Sequence, residues 1–188
     1  MLLELSWLIV VGTSVVPFGL YILYMMRIAK NRPWNIRIDS KYEPHVSLII
    51  PTYEEETTIK RKLDNVAEVV YPREKIEIIL VDSASKDKTV YLAKKWAEEH
   101  PEFKTNIISQ TERRGMVNAL NEALKNMQGD VFVKTDADCL WLGDSLKNAL
   151  KYLADPQVGS VAGLHIIEAN RETMAVKTER TYRDFYRV

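Results

Sequence analysis

The chain has 188 residues, 26 basic and 26 acidic side chains, and a single cysteine, Cys139. Balanced charge leaves no basic footprint for nucleic acid, and one cysteine excludes an intrachain disulfide scaffold. A hydrophobic share of 46% is enough for a real core, and the length suits one domain of about 100–200 residues plus an appendage.

The appendage comes first. Residues 1–26 are almost entirely apolar, with Glu4 their only charge. About 20 such residues span a bilayer core. Tyr21, Tyr24 and Trp34 lie near the far edge, where interfacial aromatics collect, and Pro17 is tolerated in a membrane helix. Arg27, Lys30, Arg32 and Arg37 follow, which by the positive-inside rule puts the N-terminus outside and the remainder in the cytoplasm. A cleaved signal peptide would want basic residues before the apolar run and a small-residue cleavage site after it; the chain has neither. The expectation is a single-pass anchor in the cell membrane over 1–26, a juxtamembrane linker over 27–44, and a folded domain over 45–188.

Within that domain, residues 45–50 form a short apolar run stopped by Pro51, a buried strand. Over 55–70 the apolar positions Ile59, Leu63, Val66, Val69 and Val70 recur at helical spacing, with Lys60, Arg61 and Lys62 as a polar face. Residues 76–81 are a second strand ending at Asp82. Asp87 can cap a helix running to about Glu99, and Pro101 ends it. A third strand covers 105–109. A helix over 115–127 carries Val117, Leu120 and Leu124 on one side, with Gly129 as its stop. A buried strand then runs over 129–134 into Thr135-Asp136-Ala137-Asp138. A helix over 144–154 and one or two strands around Gly163 follow. The tail from Arg171 reads as an amphipathic helix, with Tyr182, Phe185 and Tyr186 among Arg180, Arg183 and Arg187. Such a face suits packing on the chain's own sheet or on a further part, or a membrane surface.

Alternating strands and helices with near-continuous apolar strands imply an α/β fold: a mostly parallel sheet covered on both faces by helices. Ligands in such sheets sit beyond the carboxyl ends of the strands. Three strand ends carry polar clusters here, at 51–55, 82–85 and 136–138, and a shared sheet brings them to one rim. Asp136 and Asp138 are the most telling. Two carboxylates one residue apart at a strand end repel each other, and a hard cation such as Mg²⁺ or Mn²⁺ relieves them and can hold a diphosphate. Either both bind the metal, or one does so directly and the other through water. The bland alternative is a pair of solvated carboxylates capping the next helix.

Other chemistries fit less well. The chain has no Gly-rich dinucleotide fingerprint and no P-loop. Asp136 to Leu142 lacks the third oxygen ligand and the glycine of a calcium loop. His45, His100 and His165 show no zinc spacing with Cys139, and no nucleophile elbow is present.

Four motifs in order resemble family 2 glycosyltransferases. Val46-Ser47-Leu48-Ile49-Ile50-Pro51-Thr52-Tyr53-Glu54-Glu55 resembles their opening strand and P-T-Y-N-E loop. Val81-Asp82-Ser83-Ala84-Ser85-Lys86-Asp87-Lys88-Thr89 resembles their V-D-D-G-S-x-D-x-T or V-D-S-x-S loop. Gly115-Met116-Val117-Asn118-Ala119-Leu120-Asn121 resembles G-K-x-x-A-L-N, and Thr135-Asp136-Ala137-Asp138 resembles the D-x-D motif. The resemblance covers about residues 45–165. It implies a GT-A fold, a UDP- or GDP-sugar donor, and a lipid or polysaccharide acceptor. By position, Pro51, Thr52, Tyr53, Glu55, Asp82, Ser83, Gly115, Asn118 and Asp136 would bind the nucleotide-sugar, with Asp82 at the base. Asp136 and Asp138 would hold Mg²⁺ or Mn²⁺ on the diphosphate. Transfer would invert the anomeric centre by in-line attack. Glu54 stands where the pattern has Asn, and Met116 where it often has Lys, a charge Arg113 or Arg114 would supply instead. The E-D and Q-x-x-R-W segments that such enzymes carry further on are missing. No general base is therefore assigned, Glu168, Glu172, Glu179 and Asp184 included. The expectation is the donor half of a glycosyltransferase, or a fragment that binds donor and needs a further segment or partner for catalysis. A nucleotidyltransferase on a similar fold is weaker, because its Gly-rich loop is replaced by Pro51-Thr52-Tyr53.

Overall fold

The computed structural model describes residues 2–31 and 35–163. The chain divides into two units, Met1–Arg37 and Ile38–Val188.

The first unit is one helix, α1, Leu2–Asn31, with Pro17 inside it. At 1.5 Å per residue it is about 45 Å long. It runs five residues past the expected end at Met26, taking Arg27 and Lys30 into the helix. Its stretch Val11–Ile28 has a mean hydropathy of 1.4 with none of it buried. By length and composition alone it can cross a membrane. Val15, Phe18, Leu20, Leu23 and Met26 are all exposed, so the apolar surface is not a single stripe. A helix that is apolar on all sides calls for a lipid or protein surround.

The second unit is a parallel sheet of four strands, β1 Val46–Thr52, β2 Ile76–Asp82, β3 Lys104–Ser109 and β4 Val131–Lys134. Their spatial order is β3-β2-β1-β4. Helices α2 Ile59–Ala67, α3 Thr89–Glu99, α4 Met116–Asn126 and α5 Ser145–Leu150 connect and cover them. Strand residues pointing to alternate faces build two cores. Leu48, Ile50, Ile78 and Leu80 pack with Ile59, Leu63, Trp96 and Leu150 on one side. Ile49, Ile79 and Val81 meet Ala119 and Ala123 of α4 on the other, where two alanines let the helix lie close to the sheet.

Pro51 does not end β1, as the sequence suggested, but sits within it, in register with Val81. Its missing N–H faces the side on which β4 has already finished, since β4 pairs only up to Ile49↔Lys134. No ladder bond is lost there.

Other expectations are corrected. Helix α2 begins at Ile59, not near residue 55, because residues 55–58 form a turn in which Thr58 N–H and Ile59 N–H both reach the Glu55 carbonyl. Strand β4 is not buried on both faces: it is an edge among the described residues, with Phe132 53% exposed. Gly129 does not stop α4. The helix ends at Asn126 with Met127 extended, and a Cβ at Gly129 would lie 2.6 Å from the Ser47 nitrogen and 2.9 Å from the His45 carbonyl oxygen. The glycine is required where the chain crosses the start of β1. Residues 158–163 carry no strand. The rest of the expected strands around Gly163, the tail helix and Glu168, Glu172, Glu179 and Asp184 lie outside the described residues.

A polar cluster fixes the end of the sheet opposite the strand-end loops. Ser47 Oγ donates to Glu77 Oε2 at 2.7 Å, and Gln128 N–H donates to the same oxygen at 2.9 Å. Gly129 N–H donates to Ser47 Oγ at 2.9 Å, and Lys104 Nζ pairs with Glu77 Oε1 at 3.0 Å. Burial alone would raise the Glu77 pKa, but Ser47, Lys104 and Gln128 outweigh it and hold the carboxyl below the ordinary value of 4.5. A lowered native pKa gives stability that is complete above the unfolded value and drains away as pH falls through the native one. Glu77→Gln is therefore expected to lose about 1.5–3 kcal/mol at pH 7. The gap to wild type should close as unfolding is followed below pH 4.5, starting from that ordinary value.

Candidate donor-nucleotide and metal site

The carboxyl ends of the strands gather the predicted residues in two groups. The first joins the loops after β1 and β2. Asp82, 1% exposed, lies opposite Thr52 in the ladder. It accepts from Thr52 Oγ1 at 3.3 Å, from Ser85 Oγ at 2.5 Å and from Ser85 N–H at 2.9 Å. Ser83 N–H donates to the Thr52 carbonyl, 2.9 Å, and Ser83 Oγ donates to Gln110 Oε1, also 2.9 Å. Further along, Glu54 N–H meets Ser85 Oγ, Glu55 N–H meets Thr89 Oγ1, and Glu56 N–H meets Asp87 Oδ2, at 2.8–3.0 Å. The side chains of the second loop thus satisfy the backbone of the first. Glu55 Oε2 accepts from Thr58 Oγ1 at 2.5 Å.

Two residues here have left-handed backbones, Glu54 (φ 56°) and Ala84 (φ 61°). They occupy the positions where the family pattern has Asn and Gly, the residue types that adopt this conformation most readily. Glu and Ala suit a left-handed backbone less well than Asn and Gly, so backbone strain is concentrated at the rim.

The segment after β3 reaches the same rim through Arg113, whose guanidinium lies 4.0 Å from the Tyr53 ring centroid, a cation–π contact. Arg114 is instead paired with Glu112 at 2.8 Å. Of the two arginines considered as a substitute for the family lysine, Arg113 is the one at Tyr53. Gly115 has φ +80° with open space about it, so its need is conformational. Asn118 turns its amide back on the Arg114 carbonyl, 2.7 Å away.

The second group is the D-x-D segment, which reaches the rim on the other side of β1 from Asp82. Thr135 N–H donates to the Ile49 carbonyl at 3.1 Å and Cys139 N–H to the Asp136 carbonyl at 3.3 Å, so the chain turns as soon as it leaves β4. The turn keeps ligand atoms of Asp136, Asp138 and Cys139 within 4.8 Å of one another. Burial first, then the Asp138 and Asp136 carboxylates, raise the Cys139 pKa and keep it a neutral thiol. The fitting donors for a hard divalent cation are the two carboxylates. Lys134 Nζ compensates Asp136 Oδ1 at 2.6 Å.

Sequence reasoning missed Lys62. It is not on a solvated face but 0% exposed, beneath the D-x-D segment. Its ammonium donates to Thr135 Oγ1 at 2.8 Å and to the Cys139 carbonyl at 2.5 Å, and lies 4.6 Å from the Trp141 ring centroid. Burial lowers its pKa to about 8, against the opposing pull of Cys139, Asp136 and Asp138.

The profile of the family described as "Glycosyl transferase family 2" matches residues 47–187, which takes in the four strands, save the first residue of β1, and the loops just described. The chain belongs to this family. A mannosyltransferase, PcManGT from Pyrobaculum calidifontis, solved in complex with GDP-Man and Mn²⁺, superposes with a TM-score of 0.70 at 45% identity. The match covers 80% of this chain and 45% of that one. Staphylococcus aureus TarS 1–349 in complex with UDP-GlcNAc gives a TM-score of 0.51 at 27% identity, over 55% of this chain and 29% of that one. A dolichyl N-acetyl-α-D-glucosaminyl phosphate 3-β-D-2,3-diacetamido-2,3-dideoxy-β-D-glucuronosyltransferase of Methanococcus voltae is 35% identical over 124 residues, 63% of this chain and 38% of that protein. The chain spans less than half the length of these family 2 relatives. The parallel sheet with helices on both faces is the GT-A fold of the family.

Proposed function

We propose that this chain binds a nucleotide-diphosphate sugar and supplies the donor side of a membrane-anchored glycosyltransferase, with the sheet on the cytoplasmic side. The observation that carries the reading is the arrangement at the rim. The tied loops of Thr52 and Asp82, with Arg113 on Tyr53, flank one side of β1, and the Asp136–Asp138 turn flanks the other. Pro51, Thr52, Tyr53, Glu55, Asp82 and Ser83 form a preorganised wall for the nucleoside, Asp82 meeting the base. Gly115 and Asn118 open α4 beside it. Asp136 and Asp138 hold Mg²⁺ or Mn²⁺ against the diphosphate. When bound, the metal neutralises the charge that gathers on the departing nucleoside diphosphate. A relative solved with GDP-Man and Mn²⁺ and another solved with UDP-GlcNAc support a nucleotide-sugar donor, and GDP is the first base to test. The lipid-linked sugar in the Methanococcus relative's name and the exposed apolar α1 favour a lipid or polysaccharide acceptor held at a membrane.

The test is calorimetric titration of the full chain in detergent with GDP and with UDP, each with Mn²⁺, with Mg²⁺ and with EDTA. Binding of one nucleotide that requires the metal is expected. Equal binding in EDTA would remove the metal from the reading, and no binding of either nucleotide would remove the donor site.

A further inference from the structure

We propose that Lys62 is a positioning residue for the metal-binding segment, an internal ammonium clamp that sets the separation of Asp136 and Asp138; the inference rests on the donor-site reading above. Helix α2 turns Ile59, Lys62, Leu63 and Val66 to the interior. Three of these are what an inward helix face needs. The fourth is a cation, which is costly to bury without compensation, and leucine or methionine at position 62 would fill a core as well.

The compensation is specific. The two oxygens the ammonium grips belong to Thr135 and Cys139, the residues on either side of Asp136-Ala137-Asp138. One cation thus holds both ends of the turn that carries the carboxylates. Asn65, three residues along the same helix, extends the grip. It accepts from Trp141 N–H at 2.7 Å and donates to the Trp141 carbonyl at 3.0 Å. Helix α2 also follows directly on the loop of Tyr53 and Glu55, so Lys62 ties the nucleoside wall to the metal turn. Lys134, the other cation at Asp136, is a third exposed and can swing aside for a metal; Lys62, enclosed, stays in place.

The experiment compares wild type with Lys62→Met, which keeps length and removes the charge, and Thr135→Val, which removes one accepting oxygen and leaves α2 intact. Mn²⁺ affinity in the presence of saturating GDP or UDP is read by the Mn²⁺ electron paramagnetic resonance signal, and folding by thermal melting in detergent. Lys62→Met relieves the desolvation of a buried cation but leaves the Thr135 hydroxyl and the Cys139 carbonyl without that donor, so it should remain folded and melt below wild type. Its Mn²⁺ affinity should fall by about 10–100-fold, the range seen when groups that orient metal ligands are removed. Thr135→Val should move the affinity in the same direction by less. Wild-type Mn²⁺ affinity in Lys62→Met overturns the clamp while leaving the donor site standing. If Lys62→Met does not fold, Thr135→Val decides, and unchanged affinity there overturns the clamp. No Mn²⁺ binding by wild type overturns the donor-site reading and this inference with it.

Discussion

Asp136→Ala is expected to slow nucleoside-diphosphate release from the cognate sugar donor by about a hundredfold or more without unfolding the chain. Removing a group that merely orients a metal ligand costs 10–100-fold, and Asp136 is proposed as a ligand itself. The fold should tolerate the change. Asp136 is only half-buried and belongs to no hydrophobic cluster, and its loss relieves the repulsion with Asp138. Melting within about 0.5 kcal/mol of wild type is expected, as for most surface substitutions. A second consequence follows from Lys134, whose ammonium is 2.6 Å from Asp136 Oδ1. Without Asp136 that partly exposed cation loses its partner and can swing out to solvent, leaving Asp138 as the remaining proposed ligand, so raising Mn²⁺ should restore part of the rate. A variant that turns over donor at the wild-type rate would show that Asp136 does not hold the metal.

Trp96→Ala should be the most damaging single change to stability, about 3–5 kcal/mol in chemical denaturation. Among the described residues Trp96 is the largest fully buried side chain, 1% exposed, and joins α3 to the core on the α2 face of the sheet. Its ring stacks on His100 at 4.3 Å between centroids and lies 5.7 Å from that of Phe103. Its indole N–H donates to Asp64 Oδ1 at 2.9 Å. Truncation opens a cavity and deprives that oxygen of its partner, and the two costs add. Trp96→Phe keeps most of the volume and loses the hydrogen bond, so it should fall well short of the alanine variant. Equal losses for both would place the stability in the Asp64 bond rather than in packing.

What the sequence made legible follows from how each signal is encoded. Strands β1 and β2 read clearly, because strands buried on both faces are near-continuous apolar runs, as in Leu48-Ile49-Ile50 and Ile78-Ile79-Leu80-Val81. Asp82 and Asp136 stood out because a charge just after such a run is conspicuous. The misreadings share another cause. Lys62 looked like one of three basic residues on a solvated face, since its partner Thr135 lies 73 positions away. Gly129 looked like a helix stop, since the backbone it must clear belongs to residues 45–47. Arg113 was one of two interchangeable arginines until Tyr53 distinguished it. Periodicity reports which way a residue faces along its own element. It does not report which distant chain segment waits there.

The edge position of β4 has a consequence for motion. Of the four strands of the sheet, β4 is the shortest, and it makes only four register pairs. Its pairing with β1 closes a loop of 85 positions (Val46 to Val131), against 30 for β1 with β2 (Val46 to Ile76). On a chain-entropy basis the longer closure costs about 0.9 kcal/mol more. Strand β4 should therefore be the first to open from an otherwise intact sheet, and its amides the first of the four strands to exchange with solvent. Because Asp136 and Asp138 follow directly on that strand, any ligand bridging them to the Asp82 side of the rim would slow this exchange.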